Sequence, residues 1–226
     1  MSKYRHEIKI SINPFDREVL SSRLSNVLRK DEHSGRDGYY KVRSLYFDDL
    51  NDSALREKLM GIQYREKFRI RTYDNSTPVL RLEKKVKNGQ LGYKESALLT
   101  LNECQDLLDG NYHFLKNRTE MVCKQLYAKM SSGLFKPKTI VEYNREAYVW
   151  EPGRIRITID SSLKTGMSST DFFNFELPTT NVVDSGTSIL EIKYDSYLPS
   201  HVSNLIQLDS RQKESISKYV LCRRFE

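Results

Sequence analysis

Five segments of this chain alternate between an aliphatic side chain and a charged one, and that alternation limits the folds open to it. In Arg65-Glu66-Lys67-Phe68-Arg69-Ile70-Arg71 the odd positions are all cations and the even ones include Phe68 and Ile70. Arg5 to Ile12, Arg81 to Lys85, Arg154 to Asp160 and Leu190 to Lys193 repeat the pattern with isoleucine or leucine opposite Arg, Lys and Glu. Period two is the signature of a β-strand with one buried face. A single such strand is an ordinary amphipathic strand with its polar face in water. Five of them, with few Ser, Thr, Asn or Gln on the polar side, suit a sheet that keeps its charges together. The five polar faces hold eleven cations (Arg5, Lys9, Arg65, Lys67, Arg69, Arg71, Arg81, Lys85, Arg154, Arg156, Lys193) and four carboxylates (Glu7, Glu83, Asp160, Glu191). That surplus equals the whole chain's formal net charge of +7. Closed into an antiparallel barrel, such strands would line a channel with charge and turn their aliphatic faces toward helices.

Helix signals supply the covering layer. Asn13-Pro14 offers an N-cap and a proline at the first helical position, followed by Phe15, Val19, Leu20, Leu24, Val27 and Leu28 at helical spacing. Thr100-x-x-Glu103 is a capping box, with Gly110 as the stop. Periodicity predicts further helices over about 117–131 and about 210–223, the second with Ile216, Val220 and Leu221 on its apolar face. The expected class is therefore α+β, an antiparallel β-barrel with flanking helices, in a single domain over 1–226. The Ser- and Thr-rich stretch 161–188 reads as a loop at a channel mouth or a disordered insert, and Asp31–Gly38 as a loop without an evident role.

Several function classes drop out. The 226 residues contain no apolar run longer than four, against the ~20 that a membrane helix needs. Met1 to Glu7 lacks the apolar region of a secretory signal, so the expected location is cytoplasmic. Three scattered cysteines (Cys104, Cys123, Cys222) form no C-x-x-C pair and read as buried helix residues. The four histidines have no ligand spacing. A nucleic-acid binder usually carries exposed basic patches with aromatic stacking platforms, a pattern absent from strands whose cations alternate with isoleucine. Arg and Lys are instead suited to phosphate oxygens. The carboxylates among them have two jobs open to them, orienting those cations or holding a divalent metal that bridges phosphates.

The ordered set Arg5-His-Glu7-Ile-Lys9, Phe68-Arg69-Ile-Arg71-Thr-Tyr73, Leu82-Glu83-Lys84-Lys85, Tyr93-Lys94-Glu95-Ser96, Val141-Glu-Tyr143-Asn144-Arg145-Glu-Ala-Tyr148, Arg156-Ile-Thr-Ile-Asp160, Ile189-Leu-Glu191-Ile-Lys193 and Ser217-Lys218-Tyr219 resembles the VTC domain. This is the polyphosphate polymerase domain of the vacuolar transporter chaperone complex and its bacterial relatives, within the triphosphate tunnel metalloenzyme superfamily. The resemblance spans about residues 3 to 221. It implies a β-tunnel and transfer of the ATP γ-phosphate onto a growing inorganic polyphosphate chain, assisted by Mn²⁺ or Mg²⁺. Carried over by motif, Lys9, Arg69, Arg71, Lys85, Lys94, Arg145 and Arg156 resemble the basic wall that grips triphosphate and product. Tyr143 resembles a phosphate-contacting tyrosine, and Lys218 a lysine of the C-terminal helix that reaches into the tunnel. Glu191 resembles the metal-binding glutamate, while for Glu7 and Glu83 metal contact and orientation of neighbouring lysines both stay open. Lys67, Arg81 and Lys193 join the substrate-binding set through their place on the charged strand faces.

One departure bears on activity. Cyclases and triphosphatases of the superfamily open with Glu-x-Glu-x-Lys, where this chain has Arg5-x-Glu7-x-Lys9. Fewer carboxylates mean a weaker metal cage and more direct grip by cations, which favours the polymerase branch. The alternatives are a tunnel-type phosphatase acting on nucleoside triphosphate or polyphosphate, and a non-catalytic polyphosphate-binding module. The resemblance further implies that any passage of product across a membrane needs a separate membrane-protein partner, with this chain peripheral at the inner face.

Overall fold

The computed structural model describes residues 4–208 and 211–225. In chain order the strands are β1 (Arg5–Ile12), β2 (Arg29–Lys30), β3 (Tyr40–Asp48), β4 (Tyr64–Tyr73), β5 (Ser76–Asn88), β6 (Leu91–Leu99), β7 (Lys136–Trp150), β8 (Ile155–Thr165), β9 (Thr180–Asn181) and β10 (Ser188–Tyr194). The helices are α1 (Pro14–Val27), α2 (Ser53–Leu59), α3 (Leu101–Leu108), α4 (Met121–Ser131), α5 (Ser200–Leu205) and α6 (Lys218–Arg223). Eight strands follow one another in the order β7-β3-β4-β5-β6-β1-β10-β8, and pairing of β7 with β8 closes the ring. Every pairing is antiparallel. Among the described residues β1 meets β6 only at Arg5 and His6. Beyond that seam the Glu214 amide donates to the Lys9 carbonyl at 2.8 Å, so the C-terminal segment fills the gap.

The apolar faces point outward. Leu45, Phe47, Phe68, Ile70, Leu80 and Leu82 pack under α3 and α4 through Cys104, Leu107, Cys123 and Leu126. On another side Ile157, Ile159, Leu190 and Ile192 meet Leu20 and Leu24 of α1 and Val202 of α5. A third cluster joins Val42, Val141, Tyr143 and Ile189 to Tyr219 and Cys222 of α6. The first two clusters form a shell outside the barrel, whereas the third lies on the inward strand faces, beside the charged residues, where α6 packs into the barrel. Both predicted caps form: Asn13 and Asp16 bond reciprocally at the start of α1, as do Thr100 and Glu103 at α3. All three cysteines are buried and free.

Some sequence expectations require correction. The segment near 117–131 is two pieces, a 3₁₀ turn at His113–Asn117 and then α4. Between them Arg118 bonds Glu103 and Glu120, which holds the break open. Helix α6 starts only at Lys218, because Ser215, Ile216 and Ser217 are drawn out as oxygen acceptors for Lys58, Lys9 and Lys67. The start of the predicted helix at Ser210 lies outside the described residues. The stretch 161–188 begins inside β8, with Ser161 and Thr165 buried, and continues as a packed loop. Phe172 anchors that loop at 0% exposure, and Arg43 donates to the carbonyls of Asp171 and Asn174. On α1, Phe15 is 75% and Val27 48% exposed, so the buried stripe is Leu20, Leu24 and, at its cap, Leu28. Arg154 leaves the charged face altogether: it sits in a 3₁₀ turn and bonds Asp195.

Truncating a buried phenylalanine removes its transfer energy and leaves a cavity. Phe172→Ala is expected to cost about 3–5 kcal/mol in urea unfolding. A loop that merely rested on the surface would cost well under 1 kcal/mol.

Candidate functional site: the barrel lumen

A cavity of about 1210 Å³ fills the barrel. It is lined by Tyr73 and Ser76 where β5 begins and by Gly89 and Gln90 where β5 ends, so it runs the length of that 13-residue strand. Fourteen of the fifteen side chains singled out in the sequence line it: Lys9, Lys67, Arg69, Arg71, Arg81, Lys85, Lys94, Tyr143, Arg145, Arg156, Lys193, Lys218, Glu7 and Glu191. Glu83 shares the inward face of β5 with Arg81 and Lys85 but lies beneath Arg69 and Lys94, fully buried. Sequence reading missed Lys58, which comes from α2, and Lys87 and Lys213, all of which line the lumen. Lys58 could not be found by strand periodicity because it belongs to a helix.

Strand register explains how the side chains meet. Arg69 faces Glu83 across β4 and β5, and Arg145 faces Asp160 across β7 and β8. Glu83 Oε2 accepts from Arg69 Nε at 2.8 Å, and its Oε1 from Lys94 Nζ at 2.6 Å. Arg71 stands 3.8 Å from the same carboxylate and donates to Ser44 Oγ and Tyr143 Oη. Asp160 takes Arg145 through both oxygens at 2.6 and 2.7 Å, and Lys218 at 2.6 Å. Arg145 and Lys218 both lie over the Tyr143 ring, at 5.1 and 4.9 Å from its centre. Arg156 is held by Asp31 at 2.8 Å and by Tyr40 Oη at 2.7 Å. The loop Asp31–Gly38 therefore has a role that spacing did not reveal. Arg81 lines the cavity from β5.

On the β1 and β10 side two carboxylates face the lumen. Glu7 accepts from Lys85 at 2.6 and 2.8 Å, and Glu191 from Lys193 at 2.7 Å. Lys9 reaches both carboxylates, at 3.9 and 3.5 Å, and Lys193 stands 3.9 Å from Glu7. Arg145 approaches Glu191 at 3.5 Å. Burial pushes these carboxyls up, but the cations outweigh it. Lys85 and Lys9 hold Glu7 below its ordinary value, and Lys193 and Lys9 hold Glu191 well below. Burial likewise raises Asp160, yet Arg145 and Lys218 bring it down to about 2. Lys67 goes the opposite way: burial, then the charges of Lys9 and Lys85, lower it to about 7. Its ammonium donates to Ser217 Oγ at 3.0 Å and lies 5.0 Å from the Tyr219 ring centre, with no carboxylate partner among the described residues. Lys9, Lys85, Lys58 and Arg65 add positive charge around Lys67, a setting that favours a bound anion.

The VTC domain family matches residues 4–225. The chain belongs to that family. Solved structures agree on the fold at low identity. A Hippeastrum candidate adenylyl cyclase, whose structure reveals a dominant triphosphatase activity, is 15% identical with a TM-score of 0.59, covering 99% of this chain and 96% of that one. A candidate adenylate cyclase from Bacillus halodurans is 16% identical with a TM-score of 0.50, covering 91% and 87%. No curated protein matches the chain. The VTC domain here shares with them an antiparallel β-barrel of the α+β class.

Whether this lumen suits a divalent ion depends on its donors. Among the described residues no group of three or more His, Cys, Asp or Glu is arranged to hold a metal. Glu83 and Asp160 have both oxygens taken by cations. Glu7 and Glu191 also bond cations, but unlike the other two they line the cavity, on adjacent strands, where a ligand can reach them. One or two carboxylates completed by phosphate oxygens is the usual setting of Mg²⁺ and its like. The VTC lumen fits a cation that arrives with phosphate and does not fit an all-protein cage. In this family fold no helix among the described residues is long and apolar enough to cross a membrane.

An anion beside Lys67 restores its charge, so binding takes up protons and weakens as pH rises above about 7. Calorimetric titration of inorganic tripolyphosphate at pH 8, in buffers of different ionisation enthalpy, is expected to show net proton uptake that Lys67→Met reduces. Zero uptake in the unsubstituted protein would contradict the assignment.

Proposed function

We propose that this VTC domain is an ATP-dependent polyphosphate polymerase, a phosphotransferase that moves the ATP γ-phosphate onto the end of an inorganic polyphosphate chain. The observation that carries the reading is the lumen itself, a cation-rich channel running from one end of β5 to the other. A single triphosphate would need only part of that length, whereas a growing chain uses all of it.

Phosphoryl transfer passes through a loose transition state, so the protein positions groups and spreads charge. Arg69, Arg71, Lys94, Arg145 and Lys218, already oriented by carboxylates and tyrosine hydroxyls, are suited to hold the donor phosphates. Lys9, Lys67, Lys85, Arg81, Arg156 and Lys193 continue the grip along the channel. The terminal oxygen of polyphosphate is already anionic and needs no general base, which accords with a lumen without a nucleophilic Cys. Mn²⁺ or Mg²⁺, held by Glu191 with Glu7 beside it, would neutralise phosphate oxygens. The partners are ATP and inorganic polyphosphate rather than nucleic acid. Export of product would call on a separate membrane protein, with the domain cytoplasmic or peripheral at the inner face.

A second reading, a tunnel triphosphatase with water as acceptor, has one observation in its favour: the Hippeastrum structure of similar fold has triphosphatase activity. Arg5 counts against it, since it stands where hydrolases of the superfamily place the first glutamate, and here bonds Asp195 at 3.2 Å.

Purified protein with ATP and Mn²⁺ is expected to yield long chains on a polyphosphate gel, and Lys218→Met to lower the rate by roughly 10²–10³. Free phosphate without chains would replace the polymerase reading with the hydrolase.

A further inference from the structure

Two carboxylates sit on the inward strand faces beneath the lumen's cations, closed off from the cavity itself. Glu83 and Asp160 have side chains at 0% exposure, and neither lines the cavity. Each sits directly across an antiparallel pair from an arginine, Glu83 from Arg69 and Asp160 from Arg145. Each also takes a lysine from a further element: Lys94 of β6 for Glu83, Lys218 of α6 for Asp160. The same device thus occurs on two separate walls of the barrel.

We propose that Glu83 and Asp160 are positioning residues, which aim Arg69 with Lys94, and Arg145 with Lys218, at the phosphate chain, and that neither is a metal ligand. This rests on the reading of the lumen as a phosphate channel. Donor arithmetic supports it. A guanidinium has five N–H groups and an ammonium three. Arg69 spends Nε and one Nη2 hydrogen on Glu83 and one Nη1 hydrogen on Tyr46 Oη, which leaves two. Lys218 spends one on Asp160, leaving two beside the Tyr143 ring. The carboxylates fix the inner edge of each cation and leave the outer edge for ligand. Their own oxygens are filled, by Lys94 and Arg69 on Glu83 and by Arg145 and Lys218 on Asp160. A metal would have to displace cations at 2.6–2.8 Å from atoms that do not reach the cavity.

A positioning role and a simple counter-charge role predict effects of opposite sign. Glu83 and Asp160 repel phosphate electrostatically, so if they only neutralised charge, removing theirs would tighten binding. If they aim the cations, removing them loosens the grip although net charge becomes more positive. The experiment is calorimetric titration of inorganic tripolyphosphate in chelator-treated, metal-free buffer. Glu83→Gln and Asp160→Asn are each expected to weaken binding about tenfold, the loss of well-aimed charge-assisted hydrogen bonds. Glu83→Asp keeps the charge and retracts it by one methylene. It is expected to weaken binding several-fold, where a counter-charge would leave affinity unchanged. It also serves if the glutamine variant fails to fold. Arg69→Met combined with Glu83→Gln is expected to lose less than the product of the two single losses, since part of the Glu83 effect runs through Arg69 and the rest through Lys94.

Binding by Glu83→Gln, Glu83→Asp and Asp160→Asn as tight as the unsubstituted protein or tighter, or losses that multiply in the double variant, would overturn the proposal. Failure of the unsubstituted protein to bind tripolyphosphate would overturn the phosphate-channel reading itself.

Discussion

Everything in this domain follows from which face of the sheet the helices cover. Isoleucine, leucine and phenylalanine on the outer strand faces bury against α1, α3, α4 and α5. Burial of such side chains contributes roughly 1.5–3 kcal/mol each. With the aliphatic face covered and β7 paired to β8, the charged face has nowhere to go but inward. The barrel is therefore apolar around its wall and charged along its lumen, with one inward apolar cluster where α6 packs against Val42, Val141 and Ile189. A one-residue slip in any strand would exchange the two faces and bring Arg or Lys under a helix.

Packing cations into a lumen costs desolvation and mutual repulsion, and the structure meets the cost unevenly. Around Glu83, Asp160, Glu7 and Glu191 the cations have carboxylate partners within 4 Å. The carboxylates in return are held ionised despite burial. Around Lys67 the balance fails, and its neighbours Lys9 and Lys58 spend donors on neutral oxygens of the C-terminal segment. The surplus first seen as a net charge of +7 thus has an address. It lies where α2, β4 and the segment before α6 meet, on a channel whose other cations are already aimed.

Period two made the strands and their inward face readable, because it is a property of each segment alone. Arg69, Arg71, Lys85, Arg156 and Glu191 were visible on that basis. What stayed hidden depends on chain segments meeting at a distance. Asp31 clamps Arg156 from 125 residues away, and no spacing rule connects a loop to a strand at that range. Lys58 enters the lumen from a helix, and Ser215 and Ser217 are held out of a helix by tunnel lysines. Arg154 failed for the reverse reason: it follows Gly153 in a turn with a φ of 49°, which ends the alternation one residue before the strand begins. The division between Glu83 and Asp160, covered by cations, and Glu7 and Glu191, open to the cavity, was also illegible. All four alternate in register with cations, and only the depth of the side chain separates them.

The central claim is that the lumen is a phosphate channel, and its most direct test is a crystal structure with inorganic tripolyphosphate. The account predicts phosphorus density inside the barrel, within hydrogen-bonding distance of Arg69, Arg145 and Lys218, with Glu83 and Asp160 still bound to their cations. An empty lumen, with tripolyphosphate confined to the outer surface, would contradict it.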